Sequence, residues 1–187
     1  MLETQKQNLN LIAQAAVASE KATQCPAELQ AAQCILETGW LSHAPGNNCF
    51  GIKSFQGESG RQLLNTREWF TDAECQGFLA SADGRTANLV QPVEQDSCGR
   101  KLHLVQDWFA TFPTLGHCFT HRAAIWNQGR YAPAASAYLQ NQNLDALVHA
   151  IAPIYATDPN YADRILSLVR NPDVQAAIAQ ARGEVSS

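Results

Sequence analysis

Glu37 ends an apolar helical run and is followed by Gly39 and Trp40, a polar loop, and then Asn48-Cys49-Phe50-Gly51. A carboxyl at a helix end beside an aromatic sits at the rim of a partly dry surface. Dehydration disfavours the charged form and keeps a proton available near neutral pH, which suits general-acid chemistry. The competing reading is a solvated glutamate in a last helical turn, the usual fate of such a residue. Other reactive types are weaker. Cys49 with one of His43, His103, His117, His121 or His149 would supply a thiol and a base. Cys49, however, lies in a loop before a β segment, without the cationic or helix-N-terminal setting that activates a thiol. His117 and His121 are one helical turn apart with Cys118 between them, a spacing that could share zinc. No metalloprotease glutamate flanks them, so the pair reads as a partly exposed helix face, and neither metal nor cofactor is expected.

Helices flank the segment that must position these groups. Leu9, Ile12, Ala16 and Val17 recur at helical spacing within residues 6–22. Cys25-Pro26 opens a second helix, with Pro at its first position, running to about Glu37. Residues 50–109 differ. Phe50–Lys53, Leu63–Phe70, Thr86–Val90 and Lys101–Phe109 are β-leaning runs broken by Gly57, Gly60, Gly77, Gly84 and Gly99. Helical period resumes after Thr114, an N-cap, with Leu115, Cys118, Phe119, Arg122 and Trp126. Tyr131–Leu139 and Asn143–Ile151 follow. Asp158-Pro159 and Asn171-Pro172 each read as an N-cap followed by Pro at N1, and Gly183–Ser187 reads as a frayed tail. The expectation is one α+β domain, mainly helical. Its α-lobe covers about 1–49 and 110–182. Its β-hairpin lobe covers about 50–109, with an insertion at about 71–99, and a groove runs between the lobes.

Composition narrows the classes. The 187 residues are 45% hydrophobic and 16% charged, which is globular and not disordered. A net charge of −4 argues against a nucleic-acid partner. No apolar run is long enough to span a bilayer. The start MLETQKQNLNLIAQAA lacks the basic-then-apolar layout of a secretory signal, so export would use a separate leader or another route. None of the six cysteines forms a CxxC pair. Cys34 reads as core, and Cys75 with Cys98 as a disulfide stapling the polar stretch between them.

Three segments carry a family resemblance. AQCILETGWLSHAPGNNCFGIK (Ala32 to Lys53), TREWF (Thr66–Phe70) and YATDPNYADRI (Tyr155–Ile165) occur in this order. Together they resemble glycoside hydrolase family 73, the bacterial glucosaminidases of the lysozyme-like superfamily, and the wall-hydrolase domain of flagellar rod assembly proteins. Cys49 departs from the pattern, which usually has Leu or another apolar residue there. Residues 71–99 look like an insertion in the β-lobe.

The resemblance implies a lysozyme-like fold and cleavage of the N-acetylglucosaminyl-β-1,4-N-acetylmuramic acid bond of peptidoglycan glycan strands. Glu37 would be the acid and Glu68 the second carboxylate. Glu68 would activate a water, unless the substrate's own 2-acetamido group attacks. The alternative for Glu68 is a strand residue paired with Arg61 or Arg67. Tyr161 and Tyr155 would hydrogen-bond substrate or the reaction water, Trp40, Phe50 and Trp69 would stack on sugars or fill core, and Asn48 would hold its loop or an acetamido group. Such an enzyme works in the periplasm or is secreted, with any delivery partner unidentified. Rival readings are a muramidase, a lytic transglycosylase, or a non-catalytic wall-binding module, the last disfavoured by the presence of both glutamates.

Overall fold

The computed structural model describes residues 2–54, 60–80, 83–156 and 158–183. In chain order the elements are α1 (Glu3–Thr23), α2 (Ala27–Thr38), β1 (Arg61–Phe70), α3 (Asp72–Leu79), β2 (Thr86–Leu89), β3 (Lys101–Ala110), α4 (Leu115–Trp126), α5 (Ala132–Asn141), α6 (Leu144–Tyr155), α7 (Tyr161–Val169) and α8 (Pro172–Arg182). They form two compact units: Met1–Phe50 with Phe112–Ser187, and Gly51–Thr111. Gly57, residues 81–82 of the expected insertion, Thr157 and residues 184–187 of the expected tail lie outside the described residues.

The first unit is helical and is built on α2. Leu29, Ala31, Ala32 and Cys34 are fully buried. Their mostly small side chains let α1, α7 and α8 pack against three sides of the helix. Trp126, Ile151 and Ile165 close around Leu29, and each large apolar side chain contributes about 2 kcal/mol by leaving water. Helix starts follow the capping residues. Thr114 accepts from the His117 amide, Asn143 from Ala146, and Asn171 from Asp173 and Val174, each cap contributing ~1 kcal/mol. Two starts differ from expectation. Pro26 is the residue before α2, not its first residue. The last-but-one helix begins at Tyr161, with Asn160 as its N-cap. Asp158 closes a turn in front of it, its carboxylate accepting from the Asn160 amide at 2.9 Å and from Arg164 at 3.0 Å.

The second unit is a three-stranded antiparallel sheet of order β1-β3-β2. β1 and β3 pair along their full lengths, from Arg61↔Ala110 to Phe70↔Lys101, and β2 pairs with β3 from Thr86↔Gln106 to Leu89↔His103. Within the expected insertion, a short helix, α3, forms between β1 and β2. Its start is a capping box: the Glu74 amide donates to Thr71 Oγ1 at 3.2 Å, and the Thr71 amide donates to Glu74 Oε2 at 2.7 Å. The expected Cys75–Cys98 disulfide is absent, since all six cysteines are free thiols. Asp96 holds that turn in its place. Its carboxylate accepts from the amides of Cys98 and Arg100, both at 2.9 Å, and from Arg100 Nε at 2.8 Å.

The chain enters and leaves the sheet unit through paired segments. The Ser54 amide donates to the Trp108 carbonyl at 3.0 Å, the Ala110 amide to Ile52 at 2.9 Å, and Lys53 bridges Phe109. On the helical side, the Phe112 amide donates to the Gly46 carbonyl at 2.8 Å, and Asn47 Nδ2 donates to the Phe112 carbonyl at 2.8 Å.

Candidate active site

Glu37 lies in the last turn of α2, which ends in left-handed geometry at Gly39. A Cβ at Gly39 would meet Ser42 Oγ at 2.9 Å. Trp40 and Leu41 stay in the same region at φ 64° and 59°, at ~1–2 kcal/mol each for residues with a Cβ. Local hydrogen bonds offset this. The Leu41 amide donates to Thr38 Oγ1 at 2.8 Å, Ser42 Oγ to the Thr38 carbonyl at 2.9 Å, and Asn8 Nδ2 to the Trp40 carbonyl at 2.8 Å. Three hydrogen bonds therefore hold the strained turn that carries the half-buried Trp40, and backbone strain of this kind often marks working sites.

Glu37 presents surface to solvent as a residue, yet its carboxyl is surrounded by enough protein to be dehydrated. This burial raises its pKa above the usual carboxylate value. A hydrogen bond from Tyr155 and the charges of Arg122 and Arg164 oppose the rise without cancelling it. Tyr155, at the end of α6, and Tyr161, at the start of α7, stack with centroids 5.2 Å apart. Burial, then the neighbouring Glu37 carboxylate, pushes the Tyr155 hydroxyl up, so it remains a donor. Tyr161 is 4 % exposed and accepts a hydrogen bond from Gln33 Nε2 at 3.0 Å. Glu37, Tyr155 and Tyr161 are thus neighbours, and a carboxyl whose proton affinity is raised by burial is suited to deliver a proton to a leaving oxygen.

The other expected residues are spread more widely. Asn48 is buried, and its Oδ1 accepts from the Phe50 amide at 3.4 Å. Phe50 is 7 % exposed and meets Phe119 edge-on at 5.0 Å, so it occupies core. Glu68 and Trp69 belong to the sheet unit. The Glu68 side chain is 35 % exposed and accepts from Lys53 at 2.9 Å, and the same ammonium donates to Asp107 at 2.7 Å. Lys53 thus takes the pairing role expected of Arg61 or Arg67, while the Arg61 guanidinium lies 3.9 Å from the centre of the Trp108 ring. Alternation along β1 puts Trp69 on the opposite sheet face from Glu68.

Sequence reasoning missed Arg122, Gln33, Lys53 and Asp107. An arginine and a glutamine on otherwise apolar helix stripes are the available signal for the first two. His117 and His121 line a cavity of about 700 Å³ with Phe112, Pro113 and Thr120. No expected site residue lies in that lining. Among the described residues no three His, Cys, Asp or Glu side chains group to hold a metal ion, and no helix is long and apolar enough to cross a membrane.

Residues 13–173 match the sequence profile of the glucosaminidase family, described as mannosyl-glycoprotein endo-β-N-acetylglucosaminidase. No curated protein matches the chain. Several solved structures share its fold. A peptidoglycan hydrolase mutant from Sphingomonas sp. A1 is 21% identical at a TM-score of 0.63, over 94% of this chain and 99% of that one. The catalytic domain of the autolysin Auto from Listeria monocytogenes is 19% identical at 0.65, over 95% and 89%. The glycoside hydrolase domain of Salmonella typhimurium FlgJ is 18% identical at 0.60, over 96% and 95%. The architecture is therefore the mainly helical, lysozyme-like one, and because the profile runs unbroken from α1 into α8, the chain belongs to the glucosaminidase family, glycoside hydrolase family 73.

Proposed function

We propose that the protein hydrolyses peptidoglycan at the β-1,4 bond from N-acetylglucosamine to N-acetylmuramic acid, with Glu37 as general acid. The observation that carries this reading is the match of residues 13–173 to the glucosaminidase family, and the burial that raises the proton affinity of Glu37 beside Tyr155 supports it. The Sphingomonas hydrolase and the Listeria autolysin support a wall polymer as substrate. Glu37 protonates the departing glycosidic oxygen as positive charge develops on the sugar ring. Glu68, paired with the Lys53 ammonium it shares with Asp107, is the second carboxylate and activates the attacking water, unless the substrate's own acetamido group attacks. Once the proton has left, the Tyr155 hydrogen bond and the two arginine charges stabilise the Glu37 carboxylate. Trp40 and Trp69 offer ring faces to sugars and Asn48 holds its loop, while Tyr161 and Phe50 are buried and have structural roles. A peptidoglycan substrate implies work outside the cytoplasm, in the periplasm or after secretion.

The test is the sugar at the new chain end. Purified peptidoglycan is digested, reduced with borohydride and hydrolysed. Glucosaminitol is expected. Muramitol, or an anhydro-muramic product, would move the protein to the muramidases or the lytic transglycosylases.

A further inference from the structure

Alternation sorts the three strands into two unlike faces. One carries Phe70, Glu68 and Asp107, and it is covered: Phe70 packs on Phe78 of α3 at 5.3 Å, and Lys53 pairs with both acids. Those two are the only carboxylates in the strands. The other face carries Arg61, Asn65, Arg67 and Trp69 from β1, and Gln106 and Trp108 from β3. It is open. Asn65 and Arg67 are exposed, Trp69, Gln106 and Trp108 are half-buried, and Leu104, the cross-strand partner of Arg67, is 46 % exposed. On a chain of net charge −4, a face with two arginines and no strand carboxylate is a local positive surface.

The face is also ordered by its own contacts. The Trp108 indole N–H donates to the Asp83 carbonyl at 3.0 Å, and the Arg61 guanidinium lies 3.9 Å from the centre of the Trp108 ring. Stacking of this kind holds the positive charge at the sheet surface. Trp108 pairs with Leu63, six residues along β1 from Trp69, which sets the two indoles roughly 20 Å apart along the strands. The directly paired amides of Asn65 and Gln106 lie between them. Indoles cover the apolar C–H faces of sugars, amides pair with hydroxyl and acetamido groups, and guanidinium groups pair with carboxylates. A site of that length fits a polymer and not a single sugar. An N-acetylated glycan strand whose peptide stems carry carboxylates has all three kinds of group.

We propose that this open sheet face is a second, non-catalytic contact for peptidoglycan, with the glycan lying along β1 and β3 and stem carboxylates meeting Arg67 and Arg61. This rests on the wall substrate proposed above and adds a holding surface. A second contact keeps the enzyme at high local concentration on an insoluble polymer between cuts.

The experiment is co-sedimentation of the full chain with purified wall sacculi, in Glu37→Gln so that the walls stay intact. Arg67→Glu combined with Trp69→Ala should raise the half-saturating wall concentration roughly 10-fold or more. Lys6→Glu, on an exposed position of α1, changes the net charge as Arg67→Glu does and should bind like the parent. Amidating the wall carboxyls should erase the difference between the parent and Arg67→Glu. Parent-level binding by Arg67→Glu, or an equal loss in Lys6→Glu, would overturn the proposal. Should circular dichroism show the Trp69→Ala protein unfolded, Arg67→Glu alone decides, because its side chain is exposed. Stripping phosphate polymers from the walls with hydrofluoric acid should leave binding intact; lost binding would assign the face to those polymers and overturn the proposal. A muramitol product in the digestion would refute the proposed bond and leave the sedimentation result standing.

Discussion

Glu37→Gln should kill the enzyme and stabilise the fold. The amide keeps the size of the side chain and its contact with Tyr155 but has no proton to give, so wall clearing should drop ~10²–10⁴-fold. The stability effect has the opposite sign. Burial raises the folded-state pKa of Glu37 above its ordinary value of 4.5. The stabilising contribution of the protonated group is therefore complete below that ordinary value, and is lost as pH rises through the raised one. Above the raised value the ionised carboxylate is a liability that glutamine removes. Each tenfold gain in proton affinity on folding corresponds to about 1.4 kcal/mol, but the residue is partly exposed and two arginines face it. Electrostatic effects at partly exposed positions are about 0–1 kcal/mol, and at this chain length each kcal/mol is about 2–4 °C in Tm. Turbidity clearing of purified walls and thermal denaturation at pH 4 and pH 8 read the two effects. The variant should melt higher at pH 8, with the gap closing at pH 4. A variant that clears walls, or one that is less stable than wild type at pH 8, would refute the reasoning.

Three further outcomes follow from the geometry. Glu68→Gln should lower kcat more than it changes KM, because charge on that carboxylate matters most in the transition state; normal turnover in steady-state assays would leave the substrate's acetamido group as the attacking species. Arg182, which binds Glu20 at 2.8 Å and Glu28 at 2.6 Å and so ties α8 to α1 and α2, should cost about 2–3 kcal/mol as Arg182→Gln, because two partly buried carboxylates lose their shared cation; urea melts check this, and a change under ~0.5 kcal/mol would mark the cluster as a solvated surface feature. Thiol titration without reductant should find Cys98 and Cys75 reactive in native protein, with buried Cys25, Cys34, Cys49 and Cys118 reacting only on denaturation; fewer than six thiols in denaturant would reveal a disulfide.

Local signals in the sequence are enough for most of the helical unit. Helical period and the caps at Thr114 and Asn171 need only neighbouring residues, and the structure has both. The start of α3 is equally local, since Thr71-x-x-Glu74 is a capping box, but the glycines around it suggest turns. Asp158-Pro159 misleads for the opposite reason, because the same dipeptide that starts helices also closes turns. The Lys53–Glu68–Asp107 cluster depends on register between strands about 40 residues apart, which no short window contains. Arg122 is the most instructive case. The period that puts Cys118, Phe119, Arg122 and Trp126 on one face already places a cation in the core, and only the folded partners show what it faces.

The zipped neck at residues 52–54 and 108–110 makes the sheet unit a cassette. Its two ends are tied to each other by main-chain bonds, and on the helical side Gly46 and Phe112 are tied in turn. The helical framework therefore sees a short, closed junction, whatever length of chain lies beyond it. Lengthening a closed loop costs only logarithmically. Residues between β1 and β3 can therefore be gained, lost or exchanged with little penalty to the helices that carry Glu37. Sequence can diversify in such a cassette while the helices that carry Glu37 stay fixed, and exchanging the segment between relatives should leave the helical framework folded.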